Sequence, residues 1–393
     1  MMDASERVGE VFRESYGKVL SHLLARGFDL LRSEDAVSAA FASALTDWND
    51  APPPNPEAWL CRVALHRAID TERREKRLSP LDIVADTAAT TEPEDPTMLP
   101  DERLRLFFLC THPAIAAEIQ TPLMLQLVLG MSAENMSELF LMPAATLGQR
   151  LVRAKRKIRD ANILPDLPNP DEFQHRLPSV LQAIYGLYSR DWGTSEPTEA
   201  LDLARSLMVA SEGDPEAMGL YALLLFCESR RSTTRDNYIP LSQQNPSNWD
   251  LEMVQRAEHL LQAAATRRSP GRFQLEAAIQ SAHVQRAFTG SPSYAEISRL
   301  YVALTSVAPT VSNKLGHVAA TLEFAGAEAA RTLLREVVVS EPYLPFEAVS
   351  AHVSFRLADY AAARKHAVAA FALSRDPRTA AYWQEFLQTI PST

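Results

Sequence analysis

The sequence predicts an almost entirely α-helical protein, and three observations support this fold class. Only 13 of the 393 residues are glycine, Ala and Leu are abundant, and alternating β-branched residues are nearly absent. Apolar residues make up 46% and charged residues 22% of the chain, close to the globular average, which argues against wholesale disorder. A chain of this length is expected to form two or three domains.

The N-terminal part is predicted to form a helical domain over residues 1–78. Apolar residues recur at helical spacing in residues 58–78, so one face of this helix would lie in a core. Its other faces carry the first basic cluster, which consists of Arg62, Arg67, Arg73, Arg74, Lys76 and Arg77. Trp48 and Trp59 are predicted to be core aromatics rather than partners for stacked bases.

Two proline-rich breaks separate the domains. Residues 79–102 contain no Lys or Arg, but four prolines and seven acidic residues. Such a segment cannot bury apolar area, so a flexible linker is predicted. Three further prolines between residues 164 and 170 would stop a helix. We therefore expect a second domain over 103–163 and a third over 171–393.

The second domain is predicted to have a helix-turn-helix layout. A buried helix over residues 123–129 would end at Gly130, and Ser132 is placed to cap a helix over 133–141. Met142 and Pro143 would form a short turn before a helix over 144–160. That helix contains the second basic cluster, which consists of Arg150, Arg153, Lys155, Arg156, Lys157 and Arg159.

In a helix-turn-helix, the second helix enters the major groove of DNA while flanking cations contact phosphates. On this interpretation the groove-facing residues are Thr146, Gln149, Arg150 and Arg153. The residues assigned to the phosphate backbone are Lys155, Arg156, Lys157 and Arg159. A solvated amphipathic face explains one such cluster equally well.

The third domain has a repetitive pattern of helices followed by prolines. Prolines at positions 309, 342 and 377 are spaced by 33 and 35 residues, similar to the tetratricopeptide repeat, whose period is about 34. Small residues at Ala363, Ala367 and Ala370 would let neighbouring helices approach closely, while Tyr360 and Phe371 would fill the space between helix pairs. We expect such a domain to act in regulation or protein binding.

Several classes of protein are excluded. The chain has 39 basic and 49 acidic residues and a net charge of −10, which excludes a uniformly basic nucleic-acid coat but not a local basic surface. Three widely spaced cysteines predict neither disulfides nor a zinc site, and His112 is interpreted as a turn residue. No catalytic, metal or cofactor motif occurs, so the protein is predicted not to be an enzyme. Without an apolar leader or a long apolar run, a cytoplasmic protein that does not enter membranes is expected.

Several sequence motifs together resemble those of extracytoplasmic-function sigma factors. Residues 55–60 (NPEAWL), 67–70 (RAID) and 73–74 (RR) resemble their region 2. Residues 100–106 (PDERLRL), 111–113 (THP) and 149–158 (QRLVRAKRKI) resemble their region 4. Residues 249–250 (WD) and 272–279 (RFQLEAAI) match phrases of the subgroup that has a long C-terminal helical extension.

The resemblance implies a transcription-initiation factor whose partners are core RNA polymerase and promoter DNA. The first domain would bind the polymerase clamp and the −10 element, and the second domain the −35 element. The resemblance assigns polymerase contacts to Glu34, Asp35, Val37 and Phe41, and −10 contacts to the arginines of the first basic cluster. The acidic linker would either occupy the RNA path of the polymerase or serve as a plain solvated tether.

The sequence also departs from the family pattern. Ser38, Ala39 and Ala40 stand where a polar pair is usual on the clamp-facing surface. Glu134 and Glu138 would be repelled by nearby phosphates unless they point away from DNA. These departures motivate an alternative, in which the protein is a sigma-like helical-repeat interaction protein that has lost promoter activity.

Overall fold

The computed structural model describes residues 4–48, 51–78, 102–137, 140, 142–191, 198–234 and 237–391. Within these ranges the chain forms nineteen α-helices and three short 3₁₀ helices, and no strand. The prediction of an all-α protein is therefore confirmed. The predicted linker lies outside the described residues except for Glu102, the first residue of a helix.

The chain divides into two compact units. The first contains residues 1–190 and 197–210, and the second contains residues 191–196 and 211–393. The helices of the first unit are α1 (Ala4–Ala25), α2 (Leu30–Asp47), α3 (Pro56–Leu78), α4 (Glu102–Cys110), α5 (Ala117–Leu129), α6 (Ala133–Ser137), α7 (Ala144–Asp160), α8 (Pro170–Asp191) and α9 (Thr198–Ala210).

The core of the first unit joins segments that the sequence analysis assigned to separate domains. Helix α1 packs against α2 and α3 and also against α4 and α5. At Gly17 of α1 the backbone approaches α5 so closely that an added Cβ would overlap the carbonyl oxygen of Val128. Residues 1–78 and 103–163 are thus packed together rather than held as two independent globules.

Two helices beyond residue 170 also belong to the first unit. The ring of Phe173 on α8 lies 4.6 Å from that of Phe108 on α4. A buried ion pair joins Arg103 of α4 to Glu199 of α9, with 2.6 Å between Nη1 and Oε1. Because α8 and α9 complete this core, the structure assigns them to the first unit, whereas the sequence analysis placed them in the domain at 171–393.

The second unit is a succession of packed helices. They are α10 (Pro215–Glu228), α11 (Leu251–Ala265), α12 (Arg272–Val284), α13 (Arg286–Thr289), α14 (Tyr294–Val307), α15 (Val311–Phe324), α16 (Ala327–Leu334), α17 (Leu344–Arg356), α18 (Tyr360–Leu373) and α19 (Pro377–Thr389), with 3₁₀ helices at Arg231–Thr234, Leu241–Gln243 and Pro246–Asn248. Helices α15, α17 and α19 begin at residues 311, 344 and 377, so two successive intervals are 33 residues long.

The packing of α18 agrees with the sequence pattern except at one residue. Ala363, Ala367 and Ala370 are fully buried against neighbouring helices, and Asp359 caps the helix by accepting a hydrogen bond from the amide of Ala362. The expectation for Phe371 was wrong, since 42% of this residue is exposed. Phe371 follows Ala370 and is rotated from it by about 100° around the helix axis, so both residues cannot face the same neighbour.

A carboxylate joins two helices of the second unit. Glu216 of α10 accepts hydrogen bonds from the backbone amides of Phe273 and Gln274 at 2.9 and 3.1 Å. These amides lie in the first turn of α12 and have no partner within that helix. Glu216 therefore caps a helix that is 57 residues distant in sequence.

Candidate nucleic-acid interface

The connection that leads into α7 is built largely as the sequence predicts. Gly130 ends α5 in the left-handed conformation with φ of 64°, which favours glycine. The hydroxyl of Ser132 accepts a hydrogen bond from the amide of Asn135 at 3.3 Å and caps α6. The described part of α6 extends only to Ser137, and it packs against α7, whose first turn follows Pro143.

Helix α7 has one apolar face and a broad cationic surface. Leu147, Leu151, Ala154 and Ile158 form the buried face at spacings of three and four residues. The exposed polar and cationic residues are Gln149, Arg150, Arg153, Arg156, Lys157 and Arg159, while Thr146 is half-buried. Most of the predicted DNA-contacting residues of α7 are therefore accessible.

Lys155 is the exception on α7. Its Nζ lies 2.9 Å from Oε1 of Glu34 on α2, and the two side chains are only 12% and 13% exposed. Burial raises the pKa of Glu34, while the charge of Lys155 and its hydrogen bond lower it. In this structure Lys155 therefore faces a carboxylate of the same chain instead of solvent.

Helix α3 presents the first basic cluster to solvent. Leu60, Ala64 and Ala68 are fully buried, as the helical spacing predicts. The exposed arginines are Arg62, Arg67, Arg73 and Arg74. Arg77 lies within the bounds of α3, but its side chain is outside the described residues.

The four residues expected to contact polymerase have different environments. Asp35 is exposed, whereas Glu34 faces Lys155. Val37 is 0% and Phe41 5% exposed, and the ring of Phe41 lies 4.8 Å from that of Phe12 on α1. Val37 and Phe41 thus support the surface of α2 by packing and present almost no side chain to a partner in this structure.

An open cavity lies beside the ion pair of Glu34 and Lys155. Its volume is about 590 Å³, and residues of α1, α2, α5 and α7 contribute to its lining. The aromatic residues Phe12 and Tyr16 line it together with the cations Arg156 and Arg159. Burial raises the pKa of the Tyr16 hydroxyl, with a smaller contribution from the charge of Glu34. The contact between α2 and α7 is thus polar and incompletely packed.

Other residues considered in the sequence have structural roles. Trp48 is buried, and its ring lies 5.3 Å from that of Trp59, so this pair belongs to the core. Nδ1 of His112 accepts a hydrogen bond from the amide of Ala114 at 3.1 Å, as expected of a turn residue. No cluster of potential metal ligands occurs among the residues whose positions are described.

Glu134 is fully exposed on α6, whereas Glu138 lies outside the described residues. Hydrogen bonds from the backbone amide of Glu134 itself and from the Ser132 hydroxyl lower the pKa of the Glu134 carboxyl. Its negative charge sits in the first turn of α6, where it complements the helix dipole. The acidic side chain at position 134 is therefore explained by its place in the first turn of α6.

Comparison with known proteins places the chain in a family. Over 329 residues it is 30% identical to an uncharacterized protein of Rhizobium meliloti, and the match covers 79% of this chain and 77% of the relative. The chain belongs to the same family as that protein. No solved structure matches this chain.

Two segments of this chain match models of protein families. Residues 11–78 match Sigma-70 region 2, and residues 176–265 match a family of unknown function, DUF6596. The region 2 match includes the described parts of α2 and α3 and most of α1. This match indicates a sigma-70 region 2 domain in the N-terminal part of the chain, a domain that binds core RNA polymerase in the sigma-70 family.

Sequence reasoning missed the long-range ion pairs of this family member. Glu34 and Lys155 are 121 residues apart in sequence, and Arg103 and Glu199 are 96 residues apart. Local periodicity contains no information on such pairs, because each partner lies on a separately predicted helix.

Among the described residues, no helix is both long and apolar enough to cross a bilayer.

Proposed function

We propose that the protein is a sigma factor of the extracytoplasmic-function type that directs transcription initiation by binding core RNA polymerase and promoter DNA. The supporting observation is that a chain with a sigma-70 region 2 domain exposes cationic surfaces on two separate helices, α3 and α7. Phosphate contacts by Lys and Arg dominate the affinity of proteins for DNA. Two such helices can contact neighbouring stretches of one duplex.

The two helices would have different tasks. On α3, the exposed arginines and Arg77 would contact the −10 element. On α7, Thr146, Gln149, Arg150 and Arg153 would face the major groove of the −35 element as in a helix-turn-helix protein, while Arg156 and Lys157 would contact phosphates. Asp35 and, once it is released from Lys155, Glu34 would contact the polymerase.

The second unit would bind a regulatory protein in the cytoplasm. Stacked helix pairs with a 33-residue interval are typical of tetratricopeptide-like repeats, which present extended surfaces to protein partners. Protein binding by this unit would add regulation to the promoter specificity of the first unit.

Reconstituted transcription tests this proposal. Transcription starts are first mapped in cells after induced expression, and a promoter found there is then transcribed with purified core polymerase with and without the protein. We expect promoter-directed transcripts only with the protein, and a strong reduction for Arg73→Ala/Arg74→Ala. The exposed α14 residue substitution Arg299→Ala serves as the control and should leave transcription unchanged. Absence of both polymerase capture and transcripts would refute the proposal.

The alternative is a sigma-like interaction protein without promoter activity. The occupied surface of α2 favours it, because Glu34 is already paired within the chain and Ser38, Ala39 and Ala40 replace a polar pair. This alternative predicts that the protein captures another protein, but that neither the protein nor its complex with polymerase binds DNA at low salt.

A further inference from the structure

The contact between α2 and α7 brings two proposed binding surfaces of the first unit together. Glu34 belongs to the proposed polymerase-binding surface, and Lys155 belongs to the cationic surface of α7. Their ion pair spans 2.9 Å and is largely shielded from solvent. Neither group can serve an external partner while the pair persists.

The surroundings of the pair indicate that it controls this contact. An open cavity of about 590 Å³ lies beside it, so apolar packing does not fill the space between α2 and α7. A partly buried charge that loses its partner remains desolvated and uncompensated, which is far more costly than an exposed unpaired charge. Removing either partner should therefore separate the helices, and restoring opposite charges should bring them back together.

A second contact, between α1 and α5, supports the same closed arrangement of the first unit. Gly17 lies against the backbone of Val128 on α5, where a methyl group cannot fit without displacement of one helix. At Gly9 of the same helix an added Cβ would meet no atom within 4 Å. The two glycines thus provide a disruptive variant and a matched control, and neither is among the proposed binding residues.

We propose that the Lys155–Glu34 pair is an intramolecular latch that holds the first unit closed and must open before polymerase can bind. In the closed state α7 covers part of the α2 surface. In the open state Glu34 becomes available to polymerase and Lys155 to DNA. The latch itself is a property of the fold, whereas its effect on polymerase binding rests on the proposed function.

Cross-linking measures closure without any reference to function. Ser38 on α2 and Val152 on α7 are exposed and line the cavity from both sides. Ser38→Cys/Val152→Cys supplies two reactive thiols for a short, reducible bifunctional reagent. Burial raises the pKa of the native Cys61 thiol to about 12 and also raises those of Cys110 and Cys227. The native thiols should react slowly, because the thiolate is the nucleophile.

The charge variants test the latch in this background. Lys155→Glu and Glu34→Lys should each slow intramolecular cross-linking at least about fivefold, and the double exchange should restore most of the rate, as expected for a desolvated ion pair. Gly17→Ala should also slow the reaction, whereas Gly9→Ala should not. Circular dichroism of each variant verifies that its helices are retained. Equal rates in the folded single-charge variants would overturn the latch.

Polymerase capture tests the consequence of closure. The full-length protein with its cross-link in place should bind core polymerase at least about fivefold more weakly than the same protein after the cross-link is reduced, in line with a closed state that is not competent to bind. A monofunctional reagent on both introduced thiols controls for steric effects at Ser38. Equal capture before and after reduction would overturn the latch alone. If the protein without the introduced cysteines captured no polymerase, the proposed sigma-factor function would fail, and with it the effect of the latch.

Discussion

At the scale of single residues, burial controls the charge of His283 on α12. Desolvation and, to a smaller extent, the nearby charges of Arg230 and Arg286 together lower the pKa of His283 from 6.5 to about 4. The folded protein thus keeps this imidazole neutral at a pH where the unfolded chain protonates it. His283 therefore makes the second unit sensitive to acid.

The sign of the resulting pH dependence follows from proton binding. Between about pH 6.5 and pH 4 the unfolded state binds one more proton at His283, so the free energy of unfolding decreases as the pH falls. This lowering of the His283 pKa corresponds to a decrease of roughly 3 kcal/mol in the free energy of unfolding by pH 4. Denaturant unfolding at pH 7 and pH 4.5 should show a smaller acid-induced loss for His283→Gln than for the unaltered protein. Equal losses would contradict this account.

Single-residue predictions from sequence succeeded where local spacing decides the environment. Ala363, Ala367 and Ala370 are buried because they recur on one face of α18. The environment of Lys155 could not be predicted in this way, since its position in a cationic run indicates an exposed residue, whereas its partner Glu34 lies 121 residues away in sequence. Tertiary contacts override local patterns at such positions.

At the scale of elements, the cationic surface of α7 predicts how strongly DNA affinity depends on salt concentration. Each phosphate contact that a cation provides contributes about 0.9 to the slope of log affinity against log salt concentration for duplex DNA. In the assembled polymerase complex, Arg153→Ala or Lys157→Ala should lower this slope by roughly one. Arg299→Ala, at an exposed site on α14 of the second unit, should leave it unchanged. Unaltered slopes for both α7 variants would place α7 away from DNA.

The cap of α12 supplies a second prediction for an element. Glu216→Ala removes the acceptor for two buried backbone amides of α12, so the free energy of unfolding should fall by about 1–3 kcal/mol. Glu252 lies exposed in the first turn of α11, and Glu252→Ala should change stability by no more than about 0.5 kcal/mol. Denaturant titration of both variants makes the comparison. Equal effects would show that the capping hydrogen bonds contribute little.

Helices were easier to predict than their assembly. The predicted bounds of α7, residues 144–160, agree with the observed ones, because Pro143 precedes the helix and apolar residues recur on one face. The membership of α8 and α9 in the first unit was not predicted, since their segments were assigned to the domain at 171–393. Phe173 and Glu199 contact α4 across a proline-rich break, which in sequence indicates separate domains.

At the scale of the whole molecule, the division into two units predicts how the protein unfolds. Each unit has its own buried residues, so calorimetry should resolve two transitions, as is common for multidomain proteins. Gly17→Ala should lower the temperature of one transition, and Glu216→Ala should lower that of the other. A single transition shifted by both variants would contradict independent unfolding of the units.

The path of the chain restricts how this protein can be shortened or recombined. Helices α8 and α9 belong to the first unit, which ends at Ala210. A truncation placed at the prolines near residue 165 would remove Phe173 and Glu199 from the helices they complete. A chimaera that contains the first unit should therefore be joined after Ala210, because α8 and α9 are part of that unit.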